Sequence, residues 1–226
     1  MIAPYHRACV DRLKTTHPRI VYVGAAANDS SVFAAMVSAL VFGRGAKVVN
    51  LKLSRRNVAT SAIRAELADA ELVFFTGGDV ARGMELIDER ALAPYLRQLA
   101  AEGKAMEGIS AGAILLGRSW VRFPDDDDAR AERFPCLGIV PGSFDTHAES
   151  DDWAELRVLA RLAGSSGEDT VYGIPGGGCA RWSGGKLAAL GKPLVRFRCA
   201  DPPLRLADRL PEVIASRPRS PAVRSR

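Results

Sequence analysis

The chain has 226 residues, 47% of them hydrophobic, which is enough for one domain with a sizeable buried core and too few for two comfortable ones. Its formal charge of +5 does not describe a nucleic-acid-binding surface: between Arg196 and Arg226 eight arginines face only Asp201, Asp208 and Glu212, an excess of five that accounts for the whole net charge. Cys9, Cys136, Cys179 and Cys199 lack the close spacing of a zinc site, and no run is apolar and long enough to span a bilayer or to act as a cleavable leader, so a cytoplasmic protein with reduced thiols is expected.

An amphipathic opening segment carrying His6 precedes the first strong strand, Arg19-Ile20-Val21-Tyr22-Val23-Gly24. The helix-start signal Asn28-Asp29-Ser30-Ser31 follows, and Val32 to Phe42 reads as an ordinary buried helix stopped by Gly43-Arg44-Gly45. Lys47-Val48-Val49-Asn50-Leu51 reads as a second strand, Ser61 to Leu67 as part of a second helix, and Glu71-Leu72-Val73-Phe74-Phe75 as a strand ending in Thr76-Gly77-Gly78-Asp79. A helix within Ala91 to Glu102 and a short strand, Ala105 to Ile109, continue the alternation. Such βαβα order predicts an α/β fold, a three-layer, doubly wound and mostly parallel sheet of flavodoxin-like type.

Further on, the apolar run Cys136-Leu137-Gly138-Ile139-Val140 and a loop from Pro141 to Thr146 lead to His147. Thr170-Val171-Tyr172-Gly173-Ile174 and Ala180-Arg181-Trp182 flank Pro175-Gly176-Gly177-Gly178, and Ser183-Gly184-Gly185-Lys186 has hairpin-turn chemistry, which predicts an antiparallel C-terminal edge. Residues 1–198 are expected to form one α/β domain. Residues 199–226 form a basic, Pro- and Arg-rich tail expected to be disordered at its end.

In an open parallel sheet, ligands bind beyond the carboxyl ends of the strands, where the loops at Gly77-Gly78 and Gly108-Ile109-Ser110-Ala111-Gly112 fall. The second loop is Gly-x-Ser-x-Gly at a strand-to-helix turn, the pattern of a nucleophile elbow, and makes Ser110 a candidate nucleophile. A serine hydroxyl needs a base, and of the three histidines only His147 arrives at the same end of the sheet; His6 and His17 precede the first strand. Two carboxylates compete to orient it: Asp125, which opens the run Asp125-Asp126-Asp127-Asp128, and Glu149 two residues past the histidine. The backbone amide of Ala111 is one oxyanion-hole donor expected of an elbow, and Gly78, or Gly77 beside it, is the natural source of the second.

Thr76-Gly77-Gly78-Asp79, Gly108 to Ala113, and Gly138-Ile139-Val140-Pro141 leading to Asp145-Thr146-His147 occur in the order and approximate spacing of one family. From about Arg19 to Arg198 the chain resembles the peptidase E and cyanophycinase family of serine peptidases, whose fold is similar to that of class I glutamine amidotransferases with serine replacing cysteine. The resemblance implies Ser110 as nucleophile, His147 as base, and a third residue on or beside Asp125. The 37 residues from Ser110 to His147 match peptidase E and fall well short of the amidotransferase spacing, in which a His-x-Glu pairing like that of His147 and Glu149 supports the histidine.

Val80, Ala148 and Gly176 depart from the family pattern at positions that bear on substrate rather than on the nucleophile. The family's preference for aspartate implies a serine peptidase acting on small peptides such as dipeptides with N-terminal Asp, through an acyl-enzyme. A carboxylate-binding pocket would need an arginine, for which Arg118 and Arg122 are candidates, followed by Arg82 beside the glycine loop; Asp79, in that loop, is a further candidate for substrate binding. Another serine esterase or amidase, or a non-catalytic amidotransferase-like binding domain, are the alternatives. No metal or cofactor is expected, since ligand-type spacing and both nucleotide fingerprints are missing. The expected partner is a small peptide, with neither nucleic acid nor membrane, for a monomer or homodimer.

Overall fold

The computed structural model describes residues 3–206, apart from Lys14, Thr16, Gly43, Arg44, Asp127, Ser165 and Ser166. In chain order its elements are α1 (Ala3–Val10), β1 (Arg19–Val23), α2 (Ser31–Val37), β2 (Lys47–Leu51), α3 (Thr60–Asp69), β3 (Leu72–Phe75), α4 (Val80–Glu89), α5 (Ala93–Ala101), β4 (Ala105–Gly108), α6 (Ala111–Leu116), β5 (Ser119–Arg122), β6 (Glu132–Pro135), β7 (Phe144–Thr146), α7 (Ala154–Gly164), β8 (Thr170–Ile174), β9 (Cys179–Ser183), β10 (Lys186–Leu190), β11 (Val195–Arg198) and β12 (Leu204–Leu206).

A four-stranded parallel sheet in the order β2-β1-β3-β4 forms the centre of the α/β fold. Alternation along its strands divides the core. Val21, Val23, Val73 and Phe75 face one layer, with Ile63 and Leu67 of α3, Ile87 of α4, Leu96 of α5 and Leu115 of α6. Ile20, Tyr22, Leu72 and Phe74 face the other, with Ala34 and Val37 of α2. Both faces of the sheet are therefore covered, as near-continuous apolar strands require.

A second sheet runs in the order β12-β11-β8-β7, with β7 and β8 parallel and β8, β11 and β12 antiparallel. α7 covers it through Leu156, Leu159, Ala160 and Ala163 against Val171 and Phe197. The antiparallel C-terminal edge is thus made by β11 and β12, while Thr170–Ile174 does not pair with the strand that follows it. That strand, β9, pairs instead with β10 around Gly184-Gly185, whose φ values of 57° and 76° suit a two-residue hairpin turn.

Four local expectations differ from the structure. α4 occupies Val80–Glu89, where the glycine loop had been followed by no helix, and β7 lies inside the stretch read as a loop before His147. The Val32 to Phe42 helix is not buried all round: Val32, Met36 and Leu40 are exposed, and its last turn, Ser38–Phe42, is a π-helix. β12 extends ordered pairing past Arg198 to Leu206. The Pro- and Arg-rich end of the tail, with Gly43, Arg44 and Asp127, lies outside the described residues. No helix among the described residues is long and apolar enough to cross a membrane.

Candidate active site

β4 ends at Gly108 and α6 begins at Ala111, so the chain reverses from strand to helix within two residues. Ile109 still donates its amide to the Phe75 carbonyl at 3.1 Å, which extends the ladder to the edge of the turn. Ser110 then adopts φ 51° and ψ −125°, a conformation that sterics disfavour for a residue with a Cβ. The tightness has a visible cause in Gly112, where a Cβ would lie 2.1 Å from the Phe75 carbonyl oxygen: only glycine lets the first turn of α6 sit so close to β3.

The Gly77-Gly78 loop, at the end of β3, packs beside this turn. A Cβ on Gly77 would touch Ser110 Cβ at 3.1 Å, and Gly78, at φ 137°, comes so near the short 3-10 turn Ala25–Ala27 that a Cβ would lie 2.0 Å from the Ala26 carbonyl oxygen. Asp79 follows as the N-cap of α4, its carboxylate accepting the Arg82 amide at 2.8 Å. The ends of β3 and β4 thus bring Gly78, Ser110 and the amide of Ala111 to one cleft. Ala111 is the first residue of α6, so its N–H is one of the donors that a helix start cannot satisfy internally.

His147 reaches the cleft from the second sheet. It lies one residue beyond β7, with φ 47°, and donates its amide to the Ile174 carbonyl of β8 at 2.8 Å. Its Nε2 lies 2.8 Å from Ser110 Oγ, within hydrogen-bond reach of the proposed proton transfer. The structure therefore brings together Ser110, His147, Gly78, Ala111 and Asp79 around a cleft of about 380 Å³.

The other candidates lie elsewhere. Asp125 is exposed, ion-paired with Arg130, and does not line the cleft. Glu149 accepts the Gly176 amide at 2.7 Å, so it holds the loop after β8 rather than the imidazole. Among the described residues no carboxylate is hydrogen-bonded to the second ring nitrogen of His147. Arg122 is paired with Glu132 and lies over the Phe134 ring at 4.9 Å, Arg82 bonds Asn28 and Glu85, and Arg118 is exposed outside the cleft. His6 is buried, 2.7 Å from Glu107, as a structural histidine.

Sequence reasoning missed several lining residues: Trp120 of β5, Asp145 of β7, Asp151, and Glu155 in the first turn of α7. Asp145 alone had a local signal, because residues i and i+2 of a strand share a side, and Asp145-Thr146-His147 has that spacing. Burial pushes its carboxyl up to about 7, with the negative charges of Glu155 and Asp151 adding to the shift and the Thr146 amide opposing it. Glu155 is raised by burial and by Asp151, against a hydrogen bond from Trp120 Nε1 at 3.3 Å.

The model for peptidase family S51 matches residues 4–190. In the solved structures, the chain is similar to a protein of Listeria monocytogenes EGD-e assigned as peptidase E, with a TM-score of 0.62 at 14% identity over 83% of this chain and 91% of that one. It is also similar to a peptidase from an acI-B1 Actinobacterium, with a TM-score of 0.59 at 16% identity over 92% of this chain and 88% of that one. Both likenesses concern the fold. Cobyric acid synthase of Streptomyces avermitilis shares 40% identity over 78 residues, 34% of this chain, and the match spans only 15% of that protein's length.

Proposed function

The chain belongs to peptidase family S51 and is a serine-type peptidase, and from that premise we propose that it cleaves small peptides through an acyl-enzyme formed on Ser110. The observation that carries this reading is the 2.8 Å approach of His147 Nε2 to a serine held on a strained strand-to-helix turn. Ser110 Oγ attacks the scissile carbonyl carbon while its proton passes to His147 Nε2. The amides of Ala111 and Gly78 receive the developing oxyanion. Collapse of the tetrahedral intermediate breaks the C–N bond, and His147 returns the proton to the departing amine. Water, deprotonated by the same imidazole, then releases the acyl group and restores Ser110.

A full triad adds Asp125, a role supported by the order of the motifs; it requires the ion pair with Arg130 to open and the acidic segment to turn inward. The narrower substrate reading, dipeptides with N-terminal aspartate, is supported by family membership. It finds no arginine or lysine among the described residues that line the cleft. A cytoplasmic setting is supported by Cys9, Cys136, Cys179 and Cys199, all free thiols here.

A fluorophosphonate probe tests the reading directly. We expect stoichiometric labelling of Ser110, none in Ser110→Ala, and labelling slowed at least about 100-fold in His147→Gln, because the base acts in the attack step. Absence of labelling in the unaltered protein overturns the proposal.

A further inference from the structure

On the face of the central sheet that α2 covers, polar atoms gather at the carboxyl ends of the strands. Tyr22 of β1 is fully buried, and its partners in register, Asn50 of β2 and Phe74 of β3, share its face. Thr76 continues the ladder, its amide bonded to the Val23 carbonyl at 3.2 Å, so two residues past Phe74 it returns to that face just before the Gly77-Gly78 loop. Asp29 follows the Ala25–Ala27 turn and is 4% exposed. The Tyr22 hydroxyl, Thr76 Oγ1, Asn50 Oδ1 and Asp29 Oδ1 are all buried without a hydrogen-bond partner.

Three of these oxygens come together around Tyr22. Its phenol is raised by burial, lowered by the Thr76 hydroxyl and raised by the Asp29 charge, and it faces Thr76 short of full hydrogen-bond geometry. Gly24 leaves the space: a Cβ there would lie 3.1 Å from Tyr22 Cε1 and 3.3 Å from Asp29 Oδ1, so the missing side chain lets the ring and the carboxylate close on each other. Asp29 Oδ2 accepts the Ser54 amide at 2.7 Å, and among the described residues the carboxylate forms no ion pair. A buried carboxylate with its charge unmatched and one oxygen unpartnered costs free energy, which a cation offsets.

The donor set restricts the cation. All four atoms are hard oxygens, and only one belongs to a charged group. Calcium and magnesium draw on more carboxylates or on phosphate, and no group of three acidic, histidine or cysteine side chains among the described residues converges closely enough to hold a metal ion. One carboxylate among neutral hydroxyl and amide oxygens balances a single positive charge. We propose that Asp29, Tyr22 and Thr76, with Asn50 at the edge, form a binding site for a monovalent alkali cation, sodium or potassium, beneath the Gly77-Gly78 loop. Its place gives it a bracing role. The Ala26 carbonyl accepts the Asp79 amide at 2.8 Å and lies directly under Gly78, so a cation tying Asp29 to Thr76 holds the Ala25–Ala27 turn against the loop that carries the Gly78 amide.

Thermal unfolding of the full chain in sodium, potassium and choline chloride at one ionic strength tests the site without reference to hydrolysis. Choline matches the screening of the other two and is too large for these oxygens to surround. We expect sodium or potassium to raise the midpoint saturably, by at least about 3 °C over choline at about 200 mM. The alkali cation that acts at the lower concentration is the one the site takes. Tyr22→Phe removes one ligand oxygen, keeps the ring against Phe74, and should raise the half-saturating concentration at least about tenfold. Asp29→Asn removes the charge and should abolish the effect.

Equal midpoints in the three salts overturn the proposal, a single buried water then serving the same oxygens. An alkali-cation effect of undiminished size and concentration dependence in Tyr22→Phe overturns it as well, because the ion then binds elsewhere. Asp29 also holds the Ser54 amide, so if Asp29→Asn does not fold, the salt comparison and Tyr22→Phe decide the matter by themselves.

Discussion

Ser110 combines two properties that a relaxed turn would not give together: a hydroxyl 2.8 Å from an imidazole, and a backbone at φ 51° and ψ −125°. Strain of this kind costs about 1–3 kcal/mol and persists because the surrounding structure over-determines it. Here the constraint comes from Gly112 against the Phe75 carbonyl on one side and Gly77 against Ser110 Cβ on the other. Replacing the serine therefore has two separable effects. Ser110→Ala removes the nucleophile and keeps the strained Cβ, whereas Ser110→Gly removes both. We expect both variants to be inactive and Ser110→Gly to be the more stable by about 1 kcal/mol, even after the greater unfolded-state freedom of glycine is counted. Urea denaturation of the two proteins measures this, and equal midpoints and slopes would show that the turn is unstrained.

At the scale of elements, legibility followed the reach of the signal. β1, β2, β3, α3 and α5 were readable because each has its pattern within a few residues, and the Ser110 elbow because glycines mark it on both sides. β7 was not, since a three-residue strand held between Tyr172 and the neighbouring loops has no period of its own and exists through pairing with β8. Of the carboxylates that line the cleft, Asp79 was legible from its place after Gly77-Gly78 and Asp145 had a local signal in its spacing to His147, whereas Asp151 and Glu155, like Trp120, come from segments that converge only in the fold. Asp125 shows the converse: the family resemblance implied a third triad residue on or beside it, but the order of motifs carries no information about Arg130, five residues on, with which its carboxylate is paired.

The helix α2 with its π-helical extension was read as buried on composition, yet its apolar residues fall on two faces. Val37 is 4% exposed beneath Tyr22 and Phe74, while Leu40 is 72% exposed. Val37→Ala should cost about 1–3 kcal/mol through the cavity it leaves, and Leu40→Gln should stay within about 0.5 kcal/mol of the unaltered protein. Thermal unfolding distinguishes the two, and a large loss from Leu40→Gln would mean that this face is covered in solution.

In the whole molecule, the nucleophile comes from the end of β4 in one sheet and the base from the end of β7 in the other, with α6 packed against both strands. Asp145 lies at this junction, so its ionisation bears on the stability of the fold as well as on the cleft. Its folded pKa of about 7 lies above the ordinary 3.8, so the folded state binds this proton more tightly than the unfolded chain does. The groups that face it are the Thr146 amide, which favours the carboxylate, and Glu155 and Asp151, which oppose it. The penalty is therefore absent below about pH 4, grows as pH rises towards 7, and is complete above it, with a ceiling of about 4 kcal/mol. Asp145→Asn should accordingly match the unaltered protein near pH 4 and exceed it in stability above pH 7, as read by chemical denaturation across that range.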